Sequence, residues 1–190
     1  MGQKYGPEYE RYLDHKLGKV NWIHEEERPF LRQWNKLRFF ELDLDEPICV
    51  IDIDIELVND YEQLFNFPCA RGEFISIPAW WKDTDNPDYK LNGGFYKFWP
   101  RDTRYITEVF RNDPEKWSTH YVRNGTTIGP INGEQYFVED HVKQRLDLKL
   151  VPEEWVQRGI EGKHLNDGEV KLIHHSFRQE NSKMSYLQQF

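Results

Sequence analysis

The chain predicts an α/β fold: one domain over residues 1–190, with a mixed, mostly parallel central sheet flanked by helices. Three observations point there. Segments with apolar residues at helical spacing alternate with β-branched apolar runs. One such run, "PICVIDIDIELV", is nearly continuous, as in a strand buried on both faces. At 190 residues, 38% of them hydrophobic, the chain is long enough for one sizeable core.

Taken in order, "YGPEYERYLDHKLGK" reads as a helix, with Pro7 near its first turn and Tyr9, Tyr12, Leu13 and Leu17 on one stripe. "RPFLRQWNKLRFFEL" repeats the scheme, with Pro29 opening it and Phe30, Leu31, Trp34, Leu37 and Phe40 sharing a face. "PICVIDIDIELV" follows as a central strand, and "DYEQLFNF" as a short helix with acids in its first turn. "GEFISIPAWW" and "GGFYKFWP" read as strands separated by a polar loop. "DTRYITEVFRND" and "GEQYFVEDHVKQR" read as helices, the second with Asp140 and His141 on an exposed face without a role. "LKLVP" and "EVKLIHHSF" close the pattern as strands.

The formal net charge of −8 argues against a nucleic-acid partner, which needs a basic face to neutralise phosphates. Aromatic residues at 15%, seven of them Trp, require large contact surfaces, either core or ligand platform. Cys49 and Cys69 offer neither a disulfide framework nor a zinc spacing, and read as buried thiols of a reducing, cytoplasmic compartment. No apolar run is long enough to span a membrane, and no signal-peptide pattern is present.

Two Asp-X-Asp pairs compete for chemistry. Asp43 and Asp45 precede Pro47 in a connection and read as solvated loop acids. Asp52 and Asp54 instead end the apolar run, where residues two apart on a strand share a face and both carboxylates would converge. Two unrelieved carboxylates side by side are costly. A hard divalent cation, Mn²⁺ or Mg²⁺, relieves that cost and favours carboxylates together with phosphate oxygens. Open α/β sheets gather ligands beyond the carboxyl ends of their strands, where this pair lies. The rival reading is an acid cluster capped by Arg or backbone amides.

The segment from Trp34 through Asp52 and Asp54 to Leu64 and Phe65 resembles the D-X-D region of GT-A-type nucleotide-diphospho-sugar transferases, the glycogenin-like group above all. There a Trp-X-Lys helix leads to an apolar strand ending in Asp-X-Asp, and a short helix follows. "LNGGFYKF" is similar to that family's strand opening with Asn and a small residue, which implies Asn92 and Gly93 near the donor sugar and acceptor. "NGEQYFV" resembles its "DQ" segment and implies Gln135 at the site, with Glu134 in the usual Asp place. "LIHHSFR" resembles the late strand that delivers a metal or phosphate ligand, open between His174, His175 and Arg178. "GQKYGPEYERYL" resembles the segment that lays a Tyr, here Tyr5, beside the nucleotide base. The family has a strand before "KYG" and another before Trp-X-Lys, so the resemblance implies a member shortened at the front.

The resemblance further implies a metal-dependent hexosyltransferase using a nucleotide-sugar donor, UDP-linked, and a carbohydrate or glycoconjugate acceptor, with retention expected over inversion. Asp52 would touch ribose and metal, while Asp54 and one of His174 and His175 would hold Mn²⁺ or Mg²⁺. Lys36 or Arg178 would add a positive contact, and Gln135 or Asn92 would position the sugar. Trp80 and Trp81 either stack on an acceptor sugar or fill the core. One rival is a binding protein that has lost the donor pocket. A haloacid-dehalogenase-type phosphohydrolase also ends a strand in D-X-D, but continues with a small pair where this chain has "IELV".

Overall fold

The computed structural model describes residues 7–18, 20, 32–79, 88–127, 133–159 and 168–175. In chain order it runs through α1 (Pro7–Leu17), a 3-10 helix (Arg32–Glu41), β1 (Ile48–Ile51), β2 (Ile55–Leu57), α2 (Glu62–Asn66), β3 (Glu73–Pro78) and β4 (Leu91–Phe98). There follow α3 (Pro100–Asn112), α4 (Pro114–Arg123), α5 (Gly133–Arg145), β5 (Asp147–Leu150), a 3-10 turn (Glu153–Trp155), β6 (Val156–Arg158) and β7 (Leu172–His174).

The strands form a four-stranded sheet in the order β1-β4-β3-β5 and a three-stranded sheet in the order β2-β7-β6. The α/β class and the mixed sheet are those expected, but the balance of strand directions is not. In the larger sheet β4 runs antiparallel to both β1 and β3, and only β3 and β5 are parallel. The reason is connectivity. Parallel neighbours need a crossover, and the path from β3 to β5 runs through β4, α3, α4 and α5, whereas β4 follows β3 with no described helix between them.

Period-two alternation feeds two core layers. Phe74, Tyr96 and Phe98 pack with Trp34, Leu37, Phe40, Ile106, Phe110 and Phe137. Ile75, Ile77 and Phe95 turn the other way, onto Tyr12, Leu13, Ile55, Leu57 and Leu172. The larger sheet is thus covered on both sides, and β4 is buried at every position. Its one lysine, Lys97, is tolerated because the ammonium caps the end of α2, 2.5 Å from the Phe65 carbonyl and 2.8 Å from that of Phe67.

Register breaks once, and the break matters later. Ser76 faces Tyr96 but Ile77 faces Asn92, leaving Gly93, Gly94 and Phe95 without partners on β3. This bulge arches β4, and Ser76 Oγ settles beneath it, 3.0 Å from the Asn92 carbonyl and 3.1 Å from that of Phe95.

One helix differs from its sequence reading. Helix α5 is buried on nearly all sides in its first half, and His141 is only 5% exposed. Asp140 accepts hydrogen bonds from Tyr89 and Tyr121, so neither Asp140 nor His141 forms a solvated face. Asp43 and Asp45 are exposed as expected, and they join a surface network with Arg71, Arg101 and Arg104. Among the described residues no helix is long and apolar enough to cross a membrane.

Helix α1 is fastened to the smaller sheet through one hydroxyl. Tyr12 Oη accepts from the Leu57 N–H at 2.8 Å and lies 3.2 Å from the Leu57 carbonyl, inside the core. Tyr12→Phe strands both backbone groups, and the expected cost is about 1–3 kcal/mol by urea unfolding with the far-UV spectrum unchanged.

Candidate metal centre

The expected single strand over "PICVIDIDIELV" is two strands. β1 stops at Ile51, Ile53 and Asp54 form a turn, and β2 starts at Ile55 in the other sheet. Backbone bonds explain the break. The Asp52 N–H donates to the Gly94 carbonyl at 2.9 Å, continuing the larger sheet. The Asp54 carbonyl accepts from the His175 N–H at 2.9 Å, continuing the smaller one. Each acid is therefore held by a different sheet, and it is the turn between them that makes their carboxylates converge.

Strand β7 brings the third member. His174 Nε2 lies 3.3 Å from Asp54 Oδ1, and Asp52, Asp54 and His174 place ligand-capable atoms within 4.8 Å of one another. Two carboxylates and an imidazole form a donor set suited to a divalent cation, so these residues fit one. The imidazole lies against the glycine arch of β4, where a Cβ on Gly94 would come within 2.8 Å of His174 Nδ1. His175 leaves the set. Successive strand residues face opposite ways, and His175 Nε2 pairs instead with Glu56 Oε2 at 2.9 Å.

Behind the acids lies a second group of polar side chains. Lys36 Nζ sits 2.6 Å from Asp52 Oδ1 and donates to the Gly93 carbonyl at 2.5 Å. The Gly93 N–H donates to Gln135 Oε1 at 3.2 Å. Tyr96 donates to Glu134 Oε1, also at 3.2 Å. Asn92 Oδ1 accepts from the Gly94 N–H at 2.8 Å, while its Nδ2 is buried and has no hydrogen-bond partner among the described residues. Lys36, Asp52, Asp54, Asn92, Gly93, Gln135 and His174 are thus brought together. Tyr5, Arg178, Trp80 and Trp81 lie outside the described residues.

The acids also have partners within the chain, an ammonium beside Asp52 and an imidazole beside Asp54. Burial pulls the Lys36 pKa down, but the charges of Asp52, Glu134 and Asp54 more than offset this and hold it above the ordinary value. Glu134, only 3% exposed, is pushed by burial up to about 7, against the pull of Lys36. Tyr96 is held well above its usual value, first by burial and then by Glu134 and Asp52.

Sequence reasoning missed Tyr96 and Gly94. Tyr96 carried a faint signal as the hydroxyl-bearing aromatic in a strand otherwise fit for full burial. Gly94 carried a clearer one, since a glycine inside a strand often marks a bulge or a close approach.

Because the Glu134 carboxyl binds its proton more tightly folded than unfolded, its ionisation opposes folding. Stability should fall as pH rises from the ordinary 4.5 through about 7. The expected result for Glu134→Gln is a flatter dependence of melting temperature on pH across that window, measured by calorimetry.

No family model matches this chain, and no curated protein matches it. Among solved structures it resembles the galactosyltransferase LgtC, crystallised with donor and acceptor sugar analogs, with a TM-score of 0.44 and 12% identity over 75% of this chain. The chain spans 57% of the length of that structure.

Proposed function

We propose that this chain is a metal-dependent glycosyltransferase that moves a sugar from a nucleoside-diphosphate donor, a UDP-sugar, to a carbohydrate or glycoconjugate acceptor. The observation that carries the reading is the convergence of Asp52, Asp54 and His174, three ligand-capable groups at the seam of two sheets. Their hard oxygen and imidazole donors suit Mn²⁺ or Mg²⁺. Such an ion supplies charge stabilisation for a departing nucleoside diphosphate.

The residues around the acids supply orientation. The Asn92 amide, a buried donor without a partner among the described residues, would satisfy a ligand oxygen. Gln135 commits its carbonyl oxygen to the Gly93 N–H, which leaves its amide N–H groups for a sugar hydroxyl. Gly93 and Gly94 keep the β4 backbone free of side chains where Lys36, Gln135 and His174 close in around the acids. Lys36 adds a positive charge beside the acids. Tyr5 and Arg178 complete the donor contacts in this reading, Tyr5 at the base and Arg178 at the phosphates. We expect retention of configuration and assign no general base. Glu134, a further carboxyl group that interacts with Lys36, accepts a hydrogen bond from Tyr96. The free thiols Cys49 and Cys69 suit a cytoplasmic setting.

A second reading, a protein that binds nucleotide and metal without transfer, draws on the Lys36–Asp52 pair, which already occupies one of the acids. Turnover of a UDP-sugar separates the two.

Calorimetric titration with UDP should show binding that requires Mn²⁺, and UDP binding indifferent to metal would overturn the proposal. Asp54→Ala should abolish the metal-dependent binding while the fold persists, because the Asp54 carbonyl keeps its bond to the His175 N–H. Gly94→Ala should weaken Mn²⁺ binding about tenfold or more, since the new Cβ must push the His174 ring from its place.

A further inference from the structure

Lys36 is the cation already present in the acid cluster, and its position is fixed from both ends. Its 3-10 helix is anchored by Trp34, which stacks on Phe110 at 4.5 Å between ring centroids, and by fully buried Leu37 and Phe40. Thr107 Oγ1 donates to the Leu37 carbonyl at 2.7 Å and ties that turn to α3. At the other end the ammonium is held between Asp52 at 2.6 Å and the Gly93 carbonyl at 2.5 Å, with the Tyr96 ring centroid 5.6 Å away. Only 16% of the side chain is exposed, so water screens its charge weakly. A cation that takes Asp52 as a ligand therefore shares one carboxylate with a fixed ammonium, and like charges across one carboxylate repel.

We propose that Lys36 is a built-in counter-cation that competes with a divalent ion for Asp52, holding the acids together when no metal is bound and weakening the site for metal alone. This rests on the metal reading of Asp52, Asp54 and His174. It reverses the usual expectation for a residue beside a metal site: removal of Lys36 strengthens metal binding. A residue that merely aimed Asp52 at the ion would act in the opposite sense.

The test is Mn²⁺ affinity of the full chain, by calorimetry and by the loss of the free-ion paramagnetic resonance signal, in wild type, Lys36→Met and Lys36→Gln. Glutamine keeps a donor for the Gly93 carbonyl and so guards against a variant that fails to fold. Both variants should bind Mn²⁺ at least about fivefold more tightly than wild type, and Mn²⁺ should raise their melting temperature by more than it raises that of wild type. Equal or weaker binding by the folded variants would overturn the proposal and leave the metal centre standing. Absence of Mn²⁺ binding in all three proteins would overturn the metal centre and this inference together.

Discussion

The feature on which the rest depends is a crossing of the backbone from one sheet to the other within three residues. Asp52 belongs by its N–H to the larger sheet, and Asp54 belongs by its carbonyl to the smaller. Two acids on one regular strand would share a face by the pleat alone. Here they converge because two separately packed layers fix the ends of a turn. The layers must therefore be built before the site exists, and the aromatic packing of Phe74, Tyr96 and Phe98 on one face and Phe95 on the other serves that end.

Buried acids in this region are met with polar partners. Lys36 answers Asp52, His174 adjoins Asp54, His175 answers Glu56, and Tyr96 gives its hydroxyl to Glu134. Removal of one partner from such a set leaves the other buried and uncompensated, which generally costs more than the pair contributes. The arrangement is a poor way to gain stability and a good way to hold polar groups at fixed separations. That is the property a binding or catalytic centre needs.

Much of this was legible in the residues themselves. Apolar periodicity located the helices around Tyr12, Trp34, Ile106 and Phe137, and the β-branched runs located the strands around Val50, Ile75, Phe95 and Leu172. The weight given to Asp52 and Asp54 over Asp43 and Asp45 came from the apolar run before them, and the latter pair is indeed exposed among surface arginines. Other features were not legible because they depend on contacts distant in sequence. The break in "PICVIDIDIELV" is decided by Gly94 and His175, neither of them local. The antiparallel place of β4 depends on which connection carries helices. His141 looked exposed because a helix buried on most sides leaves little amphipathic signal to read.

The fastening of α1 has a consequence for the molecule among its neighbours. β2 is an outer strand of the smaller sheet, and the backbone polar groups of such a strand invite a strand from another chain. At Leu57 that invitation is withdrawn, because the Tyr12 hydroxyl already engages both the amide and the carbonyl. A single phenol in a helix thus serves as a guard against edge-to-edge aggregation, in the place where other proteins station a lysine or a proline.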